Sequence, residues 1–161
     1  KINSIDYELI DLNTYGDEDA QIRLLVDSYN DAPELEEIVG YSHQEHSKGQ
    51  LGCFYTDALR MGMHVDLTFQ NTGGIRSGLN EGDITVREIL EMDPFNNGSV
   101  IYHMSVADIK RFLKESGSGF YYSGVLISQV GSDVNILDLQ GNMYSDTELL
   151  SVGTNDYIPA V

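Results

Sequence analysis

Basic residues are scarce in this chain of 161 residues: nine Lys plus Arg stand against 26 Asp plus Glu, a formal charge of −17, and none follows Lys114. A field of that sign repels both the phosphate backbone of nucleic acid and anionic lipid, which argues against both as partners. It opposes a nucleotide or sugar phosphate too, so an anion site has to be built locally from a few basic groups. A single cysteine, Cys53, excludes an internal disulfide, and its place in LGCFYTDAL predicts a small core residue. Long apolar runs are missing. Nothing approaches the roughly 18 to 20 residues of a membrane span, and no signal peptide pattern opens the chain, which starts at Lys1 without a Met as a mature or trimmed product would. No Gly-x-Ser-x-Gly turn is present, so a Ser-His-Asp hydrolase has no support.

What is there suffices for one globular domain: 41% of the residues are hydrophobic, and no repeat or linker divides residues 1–161. After a brief alternation at Tyr7, Leu9 and Ile10, DEDAQIRLLVDSYNDA predicts an acidic-fronted helix with Ile22, Leu25 and Tyr29 facing inward. EEIVGYS is a short strand. Leu51, Phe54, Tyr55, Ala58 and Leu59 recur at helical spacing, so QLGCFYTDALRMGM is expected to be the main buried helix, followed by the strand HVDLTFQN. Thr85 with Glu88 has capping-box spacing, Ser105 with Asp108 resembles one, and each predicts a short helix. SVIYHM between them reads as a strand, as do FYYSGVLISQV, VNILDL and LLSVGTN near the C-terminus. The expected fold class is α+β, a single domain with a mixed β-sheet, packed helices and a C-terminal strand meander.

The chemistry concentrates in FQNTGGIRSGLNEGD, where Gly73, Gly74 and Arg76 stand between a strand and a helix. Paired glycines let backbone N–H groups approach a ligand, and Arg76 can offer a planar fork to phosphate oxygens. The same residues also make a plain turn with a surface arginine. Phe95, after a proline and before the polar turn NNGS, is either an exposed ring with no obvious core to fill or a loop anchor. His43, Glu45 and His46 include a His-x-x-His spacing that can hold a divalent ion, but no third clustered ligand completes a pattern, and a surface loop is the expectation. His64 and His103 read as half-buried strand histidines.

DLTFQNTGGIRSGLNEGDITVREILEMDPFNN resembles the core of the C-terminal domain of the 5'-nucleotidase and UDP-sugar hydrolase family, in which an Asn-x-Gly-Gly-Ile-Arg loop is followed by a helix and a Pro-Phe pair. QLGCFYTDALR is similar to the family's Asn-Leu-Gly-Asn helix, SVADIKRFLKES to its next helix, YYSGV to its Ser-Gly strand and LLSVGTNDYI to its last strand, so essentially the whole chain is covered. The resemblance implies that Asn71 and Arg76 contact the phosphate or scissile end of a substrate, that Gly73 and Gly74 shape the loop, that Phe95 and Tyr157 sandwich the base, and that Ser123 and Gly124 line the pocket edge. Stacking between two rings is worth roughly 1 to 3 kcal/mol per contact and is largely indifferent to the base.

The resemblance further implies the substrate-recognition half of a nucleotide or nucleotide-sugar phosphoesterase, with no cofactor in this chain and two divalent metals in a metallophosphatase domain supplied in cis or in trans. A periplasmic or cell-surface location comes with it. Two features depart from the family. Its Gly-Gly-Asp loop, carrying the ribose-binding aspartate, should begin at Val161, and its arginine ahead of the Asn-Leu-Gly helix is replaced by His43, Glu45, His46 and Lys48 in YSHQEHSKGQLG. These departures leave an alternative open, a non-catalytic secreted or surface binding module of the same fold.

Overall fold

A computed structural model of the chain describes residues 4–158 apart from 12, 15, 17, 117 and 118. The expected start of an aspartate loop at Val161 lies outside the described residues. The chain clusters into two compact units divided between Glu36 and Glu37.

In the first unit, helix α1 spans Ala20–Asn30, followed by a 3₁₀ turn at Pro33–Glu36. Asp19 caps α1 by accepting from the Gln21 and Ile22 amides, and Arg23 pairs with Asp27 at 3.0 Å and Glu18 at 3.2 Å. The inward stripe expected at Ile22, Leu25 and Tyr29 is instead exposed, by 62%, 57% and 77%. Among its described residues this unit contains no strand and no second α-helix on which the stripe could be buried, so caps and ion pairs hold the helix locally.

The second unit carries the remaining elements. These are β1 (Ile38–Ser42), α2 (Lys48–Met63), β2 (Leu67–Asn71), β3 (Gly82–Thr85), α3 (Val86–Met92), β4 (Ser99–Ser105), α4 (Val106–Ser116), β5 (Phe120–Ser123), β6 (Leu126–Val130), β7 (Asp133–Leu137) and β8 (Leu149–Asn155). The central sheet runs β4-β8-β2-β5, with β2 and β8 parallel and the other pairs antiparallel. It is the mixed sheet of the expected α+β class. Two antiparallel pairs, β1 with β3 and β6 with β7, stand beside it. FYYSGVLISQV is two strands rather than one, because Gly124, at φ 99°, turns the chain between β5 and β6.

β2 is buried from Leu67 to Gln70, having helices on both faces. Leu67 and Phe69 join Val106 and Ile109 of α4 with Val152 and Ile136 in one core. On the other face the Thr68 hydroxyl donates to the Thr56 carbonyl of α2 at 2.8 Å. α2 begins on a capping box formed by Ser47 and Gln50. Its buried side is Leu51, Gly52 and Thr56, and Phe54, Ala58 and Cys53 face outward, contrary to expectation. The cause is Tyr121 of β5, whose ring lies where a Cβ on residue 52 would be. Gly52 therefore faces the sheet, and the apolar stripe is rotated away from Phe54.

Candidate functional site

Because β2 and β8 are parallel, their C-terminal ends lie at the same end of the sheet. β2 ends in Asn71, and Thr72–Gly74 form a single 3₁₀ turn whose first amide donates to the Gly119 carbonyl at 2.8 Å. Gly74 is buried against the Gln70 side-chain amide, which fills the place a Cβ would need. Ile75, fully buried, seats the loop in a second apolar cluster with Leu51, Leu79 and Met92. The next amide, of Arg76, donates to the Met92 carbonyl at 2.8 Å. That leaves the Arg76 side chain exposed, with Nη1 3.5 Å from the Gly73 carbonyl and Cζ 5.9 Å from the centre of the Phe95 ring, a cation–π distance.

Phe95 is delivered by α3. The Thr85–Glu88 capping box starts this helix, Met92 buries its end, and the Asp93 carboxylate then accepts from the Phe95 amide at 3.4 Å. Asp93 is also bonded to the Tyr55 hydroxyl of α2, and burial, followed by this carboxylate, pushes the Tyr55 phenol well above its ordinary value. The ring of Phe95 is 48% exposed, so it is no core anchor. Tyr157, 70% exposed, follows β8. Its turn is laced to the Phe95 turn, since the Asp156 amide donates to the Gly98 carbonyl at 2.9 Å and the Gly98 amide to Asp156 Oδ1 at 3.1 Å. Asn71, Gly73, Gly74, Arg76, Phe95 and Tyr157 thus gather at one end of the sheet.

Ser123 and Gly124 do not join them. β5 runs antiparallel to β2, so Phe120 pairs with Asn71 and Ser123 with Thr68, about 10 Å further down the strand. The Ser123 hydroxyl, buried, accepts from Arg60 Nε at 3.0 Å and donates to the Asp57 carboxylate. At Gly124 a Cβ would strike the Asp66 carbonyl. Both residues lie where α2 packs on the sheet.

The histidines follow local structure. His43 is exposed with its ring 5.0 Å from that of Tyr41, and the backbone of His46 bridges to Leu79 in both directions. Among the described residues no group of three or more His, Cys, Asp and Glu could hold a metal ion. His64 and His103 are exposed rather than half-buried: His64 closes α2 in the left-handed conformation at φ 55°, and His103 points outward from β4.

Two polar residues beneath the loop went unanticipated. Gln70 and Asn155 are 0% and 3% exposed, and Asn155 Nδ2 donates to Gln70 Oε1 at 2.8 Å and to Asn71 Oδ1 at 3.2 Å. The available signal was the side-chain amides that close the two strands, LTFQN and LLSVGTN. Buried amides of this kind are retained where their hydrogen bonds are needed.

The sequence pattern of the family described as 5'-nucleotidase, C-terminal domain, matches residues 32–156. The chain is 26% identical over 141 residues to the trifunctional nucleotide phosphoesterase protein YfkN of Bacillus subtilis, covering 76% of this chain and 9% of that protein. It is 25% identical over 100 residues to Protein UshA of Yersinia enterocolitica, covering 58% and 18% respectively. Its fold is similar to that of a 5'-nucleotidase precursor from Thermus thermophilus, with a TM-score of 0.70 at 20% identity over 86% of this chain and 33% of that one. The chain therefore spans a minor part of the length of each.

Proposed function

Because the chain belongs to the 5'-nucleotidase C-terminal domain family, we propose that residues 1–161 act as the substrate-recognition domain of a nucleotide or nucleotide-sugar phosphoesterase. The observation that carries this reading is the meeting of the Arg76 guanidinium and the half-exposed Phe95 ring at 5.9 Å beside the open glycine loop. A nucleotide has a flat base and an anion, and these groups offer one partner to each. In this reading Asn71 and Arg76 take the phosphate, Gly73 and Gly74 let the loop backbone approach it, and Phe95 and Tyr157 flank the base. Ser123 and Gly124 support the fold behind the site.

The two-metal chemistry is assigned to a metallophosphatase domain, in cis or in trans, whose ions would generate the attacking hydroxide and clamp the leaving oxygen. Location in the periplasm or at the cell surface, and a part in nucleotide catabolism, belong to the same proposal. Among the described residues no helix is long and apolar enough to cross a membrane.

Calorimetric titration with AMP and adenosine tests the recognition half. Arg76→Lys keeps the charge but loses the fork, and is expected to weaken AMP about tenfold while leaving adenosine within about twofold. Equal losses for both ligands would move Arg76 out of the anion site. For the catalytic half, the purified chain is expected to leave AMP intact with added divalent metal. Metal-dependent turnover removed by His43→Ala with His46→Ala would overturn that assignment.

The second reading, a binding module that hydrolyses nothing in any assembly, is favoured by one feature. The segment leading into the first residue of α2 offers His43, Glu45, His46 and Lys48 where the resemblance leads one to expect an arginine. Binding of AMP without any gain of turnover when a metallophosphatase domain is supplied would select it.

A further inference from the structure

The buried amides under the glycine loop form a chain whose direction is set at one end. The Ile158 amide donates to Asn155 Oδ1 at 3.0 Å, so this oxygen is committed and Asn155 must turn Nδ2 toward β2. There Nδ2 donates to both Gln70 Oε1 and Asn71 Oδ1. Gln70 is held in turn, its Nε2 buried without a partner and pressed against Gly74. Asn71 Oδ1, engaged from within, lies 3.0 Å from where a Cβ on buried Gly74 would stand, and Nδ2 lies on the side of exposed Gly73, 3.6 Å from where its Cβ would stand.

The geometry points to Asn155 as a positioning residue that fixes the polarity of the Asn71 amide, so that Asn71 presents its N–H donors rather than its carbonyl to the ligand. This rests on the reading of the loop as an anion site and sharpens it. The group taken by Asn71 is a hydrogen-bond acceptor, a phosphate or carboxylate oxygen, and a neutral hydroxyl donor is discriminated against. The orphaned Gln70 Nε2 is part of the same device. An unsatisfied buried donor is costly, and it is left so because the bond from Asn155 Nδ2 holds Gln70 Oε1, while the glycine at position 74 makes room for Nε2. The same Asn155 holds the turn that carries Tyr157, so one buried side chain ties the anion end of the site to its aromatic end.

The test is side-chain amide hydrogen exchange by NMR on the isotopically labelled chain, with AMP and adenosine titrations in parallel. In the wild-type chain the Asn155 Nδ2 protons are expected to exchange slowly and those of Asn71 freely. Asn155→Asp replaces the donor with an acceptor of the same shape. Asn71 should then turn over and donate inward, its protons becoming slow, and AMP binding should fall about tenfold or more while adenosine stays within about twofold. The new carboxylate itself repels phosphate, so Asn155→Leu serves as the uncharged control; it also frees the Ile158 amide and with it the Tyr157 turn, and is expected to weaken AMP about threefold and adenosine by less. Slow Asn71 protons in the wild type, unchanged Asn71 exchange in Asn155→Asp, or equal losses for AMP and adenosine would each overturn the proposal. A wild-type chain that binds neither AMP nor inorganic phosphate would instead refute the anion-site reading, and the exchange data, which need no variant and no ligand, would still decide the amide orientation.

Discussion

Gly74 shows how one missing atom shapes the site. Its Cα backs directly onto the Gln70 amide, so Gly74→Ala must push either the loop or Gln70 away. We expect a loss of about 1–3 kcal/mol in urea unfolding, as for overpacking generally, together with loss of AMP binding. Tyr55 makes a different prediction. Its phenol is neutral in the folded chain and held above its ordinary value of 10, by burial first and the Asp93 carboxylate second. The unfolded chain therefore loses this proton before the folded one. The contribution is fully present below pH 10 and fades as pH rises beyond it. Urea midpoints measured from pH 8 to pH 11 should fall at the alkaline end, and less steeply in Tyr55→Phe. An unaltered slope in the variant would mean that another group dominates alkaline unfolding.

Among the elements, α3 is the shortest helix and does the most positioning. Its seven residues are too few to be stable alone, so it depends on the Thr85–Glu88 box at its start and buried Met92 near its end. Both the Arg76 amide and the Phe95 turn hang from that end, through the Met92 carbonyl and the Asp93 carboxylate. Removing the cap with Thr85→Ala is expected to cost about 1 kcal/mol in stability, and, by loosening α3, to weaken AMP and adenosine together. That common loss distinguishes it from Arg76→Lys, which separates the two ligands. If Thr85→Ala lowers stability yet binds both ligands as the parent does, Phe95 is held by Asp93 and Tyr55 without help from the helix.

Over the whole molecule, charge opposes the ligand. The −17 field slows the approach of a phosphate at long range, whereas the Arg76 contact acts at close quarters. Raising salt from about 10 to 150 mM shortens the Debye length from roughly 30 to 8 Å, and the association rate of AMP is expected to rise while that of adenosine stays flat. This is the reverse of the salt response of a basic nucleotide-binding surface. A falling AMP on-rate would show that a local positive potential already governs the encounter.

The sequence by itself determined the elements with local causes. The capping box at Thr85 and Glu88, the paired glycines before Arg76 and the β-branched strands all depend on neighbours within a few residues, and the motif from Asn71 to Phe95 was legible for that reason. What only the tertiary structure decided depends on partners far along the chain. Cys53 and Phe54 face outward because Tyr121 lies over Gly52, and no spacing within α2 encodes that. Ser123 stands away from the glycine loop because β5 pairs antiparallel with β2, which sends the end of YYSG down the sheet. Asn155 entered the candidate site because β8 lies parallel beside β2, bringing residues 84 positions apart within 3.2 Å. Helical period and turn chemistry are written in consecutive residues, whereas strand order and buried amide pairing are settled only when distant segments share one core.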